Sequence, residues 1–264
     1  MTKIATPISH LFDSRNHALE IMSNSDCLEC RDECINANFE GQELFHCHMQ
    51  PIHELGDNDL RYLEKIIRLK PDLKLITFHA ASSCSRPILK RNIFQPGGKQ
   101  YSKDEMLQFS LDNFAKIKGL VGRNVKIAIE NNNYYPTEAY RWVTDSDFIR
   151  NIVYENDIFF LFDIAHARIS SHNMGLPYNN YINDLPLERT IQIHICSYGV
   201  NEEKLVYDAH NYPDEKEWKE AENLIASNQK VEYLSVEYYK DREKLIKALV
   251  KAKDTIDELH RESF

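Results

Sequence analysis

A chain of 264 residues is long enough for one α/β barrel, a fold that commonly takes about 250 residues. Its 32 Lys and Arg against 41 Asp and Glu leave a net charge of −9, which gives no general attraction for phosphate backbones and disfavours nucleic acid as a substrate. No apolar stretch approaches the roughly 20 residues needed to cross a bilayer, and the opening MTKIATPISHLFDSRN lacks the continuous apolar centre of a signal peptide, so the expected compartment is the cytoplasm, without membrane attachment.

Strand signals alternate with helical patterns, the order of βα units in a parallel sheet. The first strand is expected in KIATPIS (3–9), followed by a helix at about 14–24 and a second strand in DCLEC (26–30). Cys27, Cys30 and Cys34 lie close together there, but a structural zinc site would need a second close pair, so the six cysteines read as thiols. ELFHCHM (43–49) is the third strand, a helix at about 58–69 follows, and LKLITFHA (73–80) is the fourth. The longest irregular segment, SSCSRPILKRNIFQPGGKQYS (82–102), carries Arg86, Lys90, Arg91 and Lys99; long loops at that end of a barrel shape the substrate site. A helix at about 103–120 leads to VKIAIEN (125–131), a helix at about 138–155 to IFFLFDIA (158–165), and a short helix at about 178–184 to TIQIHICS (190–197). A helix at about 214–227 precedes the eighth strand, EYLSVEY (232–238), and the last helix, about 241–260, is marked by Leu245, Leu249, Ala252, Ile256 and Leu259 at helical spacing. IFFLF and VKIAI are apolar almost throughout, as strands covered on both faces should be. Eight strands without a linker predict a single-domain (β/α)8 TIM barrel over 1–264.

Six of these strands end on a metal-binding side chain: His48, His79, Glu130, Asp163, His194 and Glu237. A parallel barrel brings its strand ends to one rim, and convergent imidazoles and carboxylates are what divalent metals take as ligands. Glu130 closes an apolar run and opens into NNNYY; a carboxylate placed there can bridge two cations, one on each oxygen. Asp163 and His166 in FLFDIAH can face one cavity from a strand end and the following loop. Asp208 and His210 in YDAH point the same way in an extended segment and can chelate with an oxygen and a nitrogen. His46 and His48 share a face, with His53 just beyond, and His48 is preferred because it lies nearer the strand end. The nine positions His48, His79, Glu130, Asp163, His166, His194, Asp208, His210 and Glu237 predict two or three metal ions, with Glu130, Asp163, His194 and Glu237 as the catalytic set. Tyr134, Tyr135, Tyr238 and Tyr239 stand beside rim carboxylates, for packing or substrate contact. Nucleotide-binding and serine-hydrolase chemistries lack their devices, since the chain contains no GxGxxG, P-loop or GxSxG.

The stretch FLFDIAHARISSHNMGLPYNNYINDLPLERTIQIHICSYG, with VYDAHNYP after it, resembles the multinuclear non-haem iron-dependent oxidative enzymes (methanobactin iron oxidase-like) within the xylose-isomerase-like metal barrels. The shared elements are LITFH, the IEN followed by tyrosines, the strand-end Asp163, HNMG, the DLP before IQIH, DAH and the final VE, over about residues 44 to 240. The resemblance implies two or three irons, oxygen-dependent modification of a peptide or small thiol-containing substrate, often at cysteine, and a partner protein that presents the substrate. By position it gives one iron to His48, His79 and Glu130, and a central one to Glu130, Asp163, His194 and Glu237. Asp208, His210 and a group near Asp163 would hold the third, with Glu130 and Asp163 bridging. Two positions depart: IAH stands where the family has asparagines, and CSYG lacks a second histidine. Both forms are similar to endonuclease IV, so a zinc- or manganese-dependent phosphodiester hydrolase is the alternative. A divalent-metal sugar isomerase or epimerase, with Glu130 or Glu237 in proton transfer, is a further one.

Overall fold

Eight parallel strands close into a barrel in the computed structural model, which describes residues 1–262. They are Lys3–Pro7, Cys27–Arg31, Gln42–Cys47, Leu75–His79, Lys126–Glu130, Phe159–Asp163, Thr190–Ile195 and Tyr233–Val236. Each lies beside its sequence neighbour, and the eighth closes on the first through Lys3 and Tyr233. With the helices outside, this is the expected (β/α)8 TIM barrel. None of the described helices is long and apolar enough to cross a membrane.

Two apolar layers hold it. Outside the strands, Phe45, Phe78, Phe160 and Phe162 pack in one cluster with Phe114, Phe148 and Leu249 from the helices. Inside, each strand contributes one residue to a second cluster: Ala5, Cys27, Leu44, Leu75, Ala128, Leu161, Ile191 and Tyr233. This layer fills one end of the barrel, and side chains two residues further along several of the same strands point to the same face. Glu29, His46, Glu130 and Asp163 occupy those positions, so strand alternation itself lifts a polar layer onto the apolar one.

The crossovers differ from the sequence expectation in two places. Asp163 ends the sixth strand and at once caps a helix, Ile164–Met174, accepting from the His166 backbone N–H at 2.7 Å. That helix was not expected, because Ile164 and Ala165 prolong the apolar run and hide the switch of period; its end is marked by Gly175 in the left-handed region, φ +69°. The helix expected over 138–155 is instead a short 3₁₀ turn, Glu138–Tyr140, and a helix, Ser146–Glu155, separated by Trp142 at φ 73°. The expected irregular segment 82–102 contains a small antiparallel hairpin, Ile88–Lys90 with Ile93–Gln95, and a second hairpin pairs Ser197–Val200 with Val206–Asn211. Both stand at the end of the barrel that carries the polar layer.

Candidate metal centre

Strand register makes neighbours of the ligand-type residues. His79 on the fourth strand lies opposite Glu130 on the fifth, and Asp163 on the sixth lies opposite His194 on the seventh. Glu237 follows the eighth strand, held by its N–H donating to the Ile195 carbonyl at 3.0 Å. Asp208 and His210 arrive from the second hairpin and His166 from the first turn of its helix.

Glu130 sits at the middle and divides its oxygens. Its Oε2 lies 3.5 Å from His46 Nε2 and 3.1 Å from His79 Nδ1, whereas Oε1 lies 3.3 Å from His194 Nδ1. Glu237 divides likewise, with Oε1 at 3.0 Å from His194 Nδ1 and Oε2 at 3.2 Å from His210 Nε2. Asp208 Oδ2 lies 3.3 Å from His210 Nε2 and 3.6 Å from His166 Nε2, which also approaches Asp163 Oδ2 at 3.8 Å. Three overlapping groups result: His46, His79 and Glu130; Glu130, Asp163, His194 and Glu237; and His166, Asp208 and His210, with Glu237 and Asp163 beside them.

The donor set fits divalent cations on several grounds. His194 Nδ1, Asp163 Oδ2 and His79 Nε2 are buried without a hydrogen-bond partner, a costly state unless something satisfies them. Burial pushes the Glu130 carboxyl up, but the imidazoles of His46, His166 and His194 packed around it outweigh that and hold it well below the usual range. At Asp163 burial wins and pushes the carboxyl up to about 6. Burial drives His46 down to about 3 and His210 down to about 4, which favours the neutral imidazole that binds metal, whereas at His194 the carboxylates of Glu29 and Glu130 outweigh burial and raise the imidazole to about 9. Arg31 is the one guanidinium or ammonium lining the cavity among the described residues, so its carboxylates exceed its fixed positive charge. Mixed imidazole and carboxylate ligands suit iron, zinc or manganese.

Outer contacts fix the ligands' orientation. His194 Nε2 faces Glu29 Oε2 at 3.0 Å, and His166 Nδ1 faces the Asn131 carbonyl at 2.9 Å; such partners select the ring nitrogen that is left for a metal. Arg31 contacts Glu29 Oε1 at 3.0 Å and also pairs with Glu237. Above these residues lies a cavity of about 470 Å³, walled in part by Asn132, Leu89 and Phe94. A larger hollow of about 820 Å³ beside Trp142 contains no histidine in its wall.

Of the nine expected ligands, His79, Glu130, Asp163, His166, His194, Asp208, His210 and Glu237 come together. His48 lines the same cavity at its exposed edge, its ring centre 5.6 Å from that of His79, but its side chain is 54 % exposed and its Nδ1 lies 3.5 Å from both Asp32 and Glu33 rather than beside Glu130. His46 takes the interior position, its Nδ1 2.6 Å from the Thr77 hydroxyl, because the third strand ends at Cys47 and His48 already lies beyond it. His53 instead faces the Ser82 carbonyl at 2.7 Å. Glu29 and Cys196 went unnoticed in the sequence. Glu29 groups with His194 and Glu237, and Cys196 with Asp163 and Glu237; Glu29 lies inside its strand, two residues before the end at Arg31, so it lacks the strand-end signal of the others. Tyr135 receives the Asp208 N–H at 3.4 Å, and Tyr239 packs on His210 with ring centres 4.9 Å apart.

The fold and site define a TIM-barrel protein with a carboxylate and histidine cluster able to hold more than one metal ion. The chain belongs to the family described as RiPP precursor modification enzyme MbnB/TglH/ChrH, whose model matches residues 101–259. A UPF0276 protein of Acaryochloris marina is 26 % identical over 110 residues, 42 % of this chain and 39 % of that protein. One of Nitrosospira multiformis is 23 % identical over 107 residues, 40 % and 37 % of the respective chains. The match therefore spans about two fifths of these relatives' length. Among solved structures, a D-tagatose 3-epimerase-like protein superposes with a TM-score of 0.61 at 14 % identity, covering 100 % of both chains. The 3-keto-D-glucoside 4-epimerase YcjR of E. coli gives 0.59 at 15 % identity, covering 99 % of this chain and 100 % of that one. At these identities the likeness is one of fold.

Proposed function

We propose that the protein is a multinuclear metal-dependent oxidative enzyme, with iron in the cluster, that uses O2 to modify a peptide or small thiol-containing substrate. A partner protein that presents the substrate belongs to this reading. The observation that carries it is that Glu130 and Glu237 each set their two carboxylate oxygens against different histidines, in a member of a family of RiPP precursor modification enzymes.

His46, His79 and Glu130 would hold one ion, Glu130, Asp163, His194 and Glu237 a second, and His166, Asp208 and His210 a third, with Asp163 and Glu237 at the joins. Iron held by these residues would supply redox chemistry at the cavity. The protein's part is positional. Glu29 holds His194 so that Nδ1 faces inward, and the Asp163 cap ties its carboxylate to the start of a helix. Arg31 holds Glu237 in place and offers the cavity its one permanent cation. Leu89 and Phe94 give the wall of the same cavity two apolar side chains.

Protein purified without chelator should contain more than one iron per chain and should consume oxygen when reduced and given a cysteine-containing peptide. Stoichiometric zinc or manganese without oxygen consumption would overturn the reading. His166 is the observation that favours a second one: a histidine in the third group, where the oxidative family has asparagines, matches an endonuclease IV-like hydrolase. Phosphodiester cleavage by the zinc-loaded protein would establish that alternative.

A further inference from the structure

The chain is strongly acidic, yet residues 82–102 hold Arg86, Lys90, Arg91 and Lys99 and not one carboxylate. Ile88–Lys90 and Ile93–Gln95 pair across a two-residue turn in which Arg91 and Asn92 have φ of 50° and 63°, the left-handed pair that a tight type I′ hairpin requires. One strand is tied down: the Phe94 N–H donates to the Tyr140 hydroxyl at 3.0 Å and the Thr137 hydroxyl donates to the Phe94 carbonyl at 2.7 Å. The other strand is exposed along its length, with Ile88 52 % and Leu89 60 % accessible. Adjacent bare apolar residues on an edge strand are a feature that proteins ordinarily cover. Lys99 is paired with Glu105. Among the described residues, no carboxylate lies within ion-pair distance of Arg86, Lys90 or Arg91.

The hairpin also leads to the cluster. Leu89 and Phe94 wall the metal cavity, while Arg91 and Ile93 wall a second groove of about 490 Å³ that reaches Asp208 and His210. Tyr207 from the other hairpin closes the far side. A chain laid along Ile88–Lys90 and over the turn would thus enter a groove that ends on two of the proposed ligands.

We propose that this hairpin docks an acidic, apolar segment of the peptide substrate in extended form, with its carboxylates on Arg86, Lys90 and Arg91 and its apolar side chains on Ile88 and Leu89. The inference rests on the peptide-modifying reading above and names how that peptide is recognised. Charge selects the occupant: the acidic remainder of the molecule repels such a segment, and the three unpaired cations attract it.

The test measures binding without turnover, by fluorescence anisotropy on the whole chain at low salt. The probe is a fluorescein-labelled peptide of alternating Glu and Leu, with the matching Gln and Leu peptide as control. The Glu peptide is expected to bind saturably and to weaken as salt is added. Lys90→Glu combined with Arg91→Glu should bind it roughly tenfold more weakly, as the loss of two exposed pairs and gain of two repulsions implies. Lys253→Glu on the last helix changes the net charge away from the hairpin and should leave affinity nearly unchanged. Circular dichroism checks that all variants fold. Absent binding, equal affinity for the Gln peptide, equal affinity of the hairpin variant, or an equal loss in Lys253→Glu would each overturn the proposal. A peptide that docks on the hairpin but is not oxidised by iron-loaded protein overturns the oxidative reading and leaves the docking surface in place. Oxidation of a cysteine-containing peptide with hairpin-independent binding does the reverse.

Discussion

The two ends of the barrel interior are made from the same strands and do opposite work. At one end Cys27, Leu44, Leu75, Ala128 and Leu161 form a dry layer; at the other Glu29, His46, His79, Glu130 and Asp163 carry the ligand groups. Leu44 and His46 are two residues apart, as are Ala128 and Glu130, and Leu161 and Asp163. A single step of strand alternation separates residues that stabilise the fold from residues that would be costly to bury without a counterion. The apolar layer gains from being closed, whereas the polar layer leaves His194 Nδ1 and Asp163 Oδ2 unsatisfied and so keeps its capacity for metal.

Substitution in each layer should break this division in different observables. The largest change in stability is expected for Leu75→Ala, which leaves a cavity in the dry layer and should cost about 2–5 kcal/mol of unfolding free energy. Denaturant titration measures it, and metal content per folded chain should be unchanged. Metal loss in that variant would mean that the two layers are not separable. Glu130→Gln should do the converse, lowering bound metal and reducing turnover by at least about 100-fold while the metal-free chain keeps its fold. Elemental analysis beside circular dichroism decides it, and full metal content would remove Glu130 from the bridging position.

Glu29→Gln is expected to be milder. The carboxylate touches His194 rather than the open cavity, so the change should weaken metal binding by about tenfold with the ligand set intact. A competition titration against a chelator gives the number, and an unchanged affinity would leave Glu29 as a partner of Arg31, Gln192 and Ser235 with no bearing on the metal.

Much of this division was legible in the sequence, because a period of two survives into the folded strand. IAIE and FLFD show the apolar run and its terminal carboxylate directly, and register then brings Glu130 beside His79 and Asp163 beside His194. What was hidden depended on where strands stop. FDIAH reads as a strand end running into a loop, although Asp163 is the cap of a helix that carries His166 inward. Glu29 escaped notice because its strand continues to Arg31 before it ends. The run of cations in residues 86–99 was visible, but that Arg91 turns a hairpin towards the cavity follows only from the folded chain.

The smallest effect is expected where the sequence was most ambiguous. His46 and His48 share one face of a strand, and proximity to the strand end favoured His48. The strand stops at Cys47, which leaves His46 2 % accessible beside Glu130 and puts His48 at the cavity's exposed edge near Asp32 and Glu33. A surface histidine and carboxylate contribute at most about 1 kcal/mol, so His48→Ala should retain metal content and nearly all stability. His46→Ala removes one of the nitrogen ligands from the group it forms with His79 and Glu130, and the metal content of that variant should fall. If His48→Ala loses the ion and His46→Ala keeps it, the polar layer begins two residues later on the third strand, four residues beyond Leu44 instead of two.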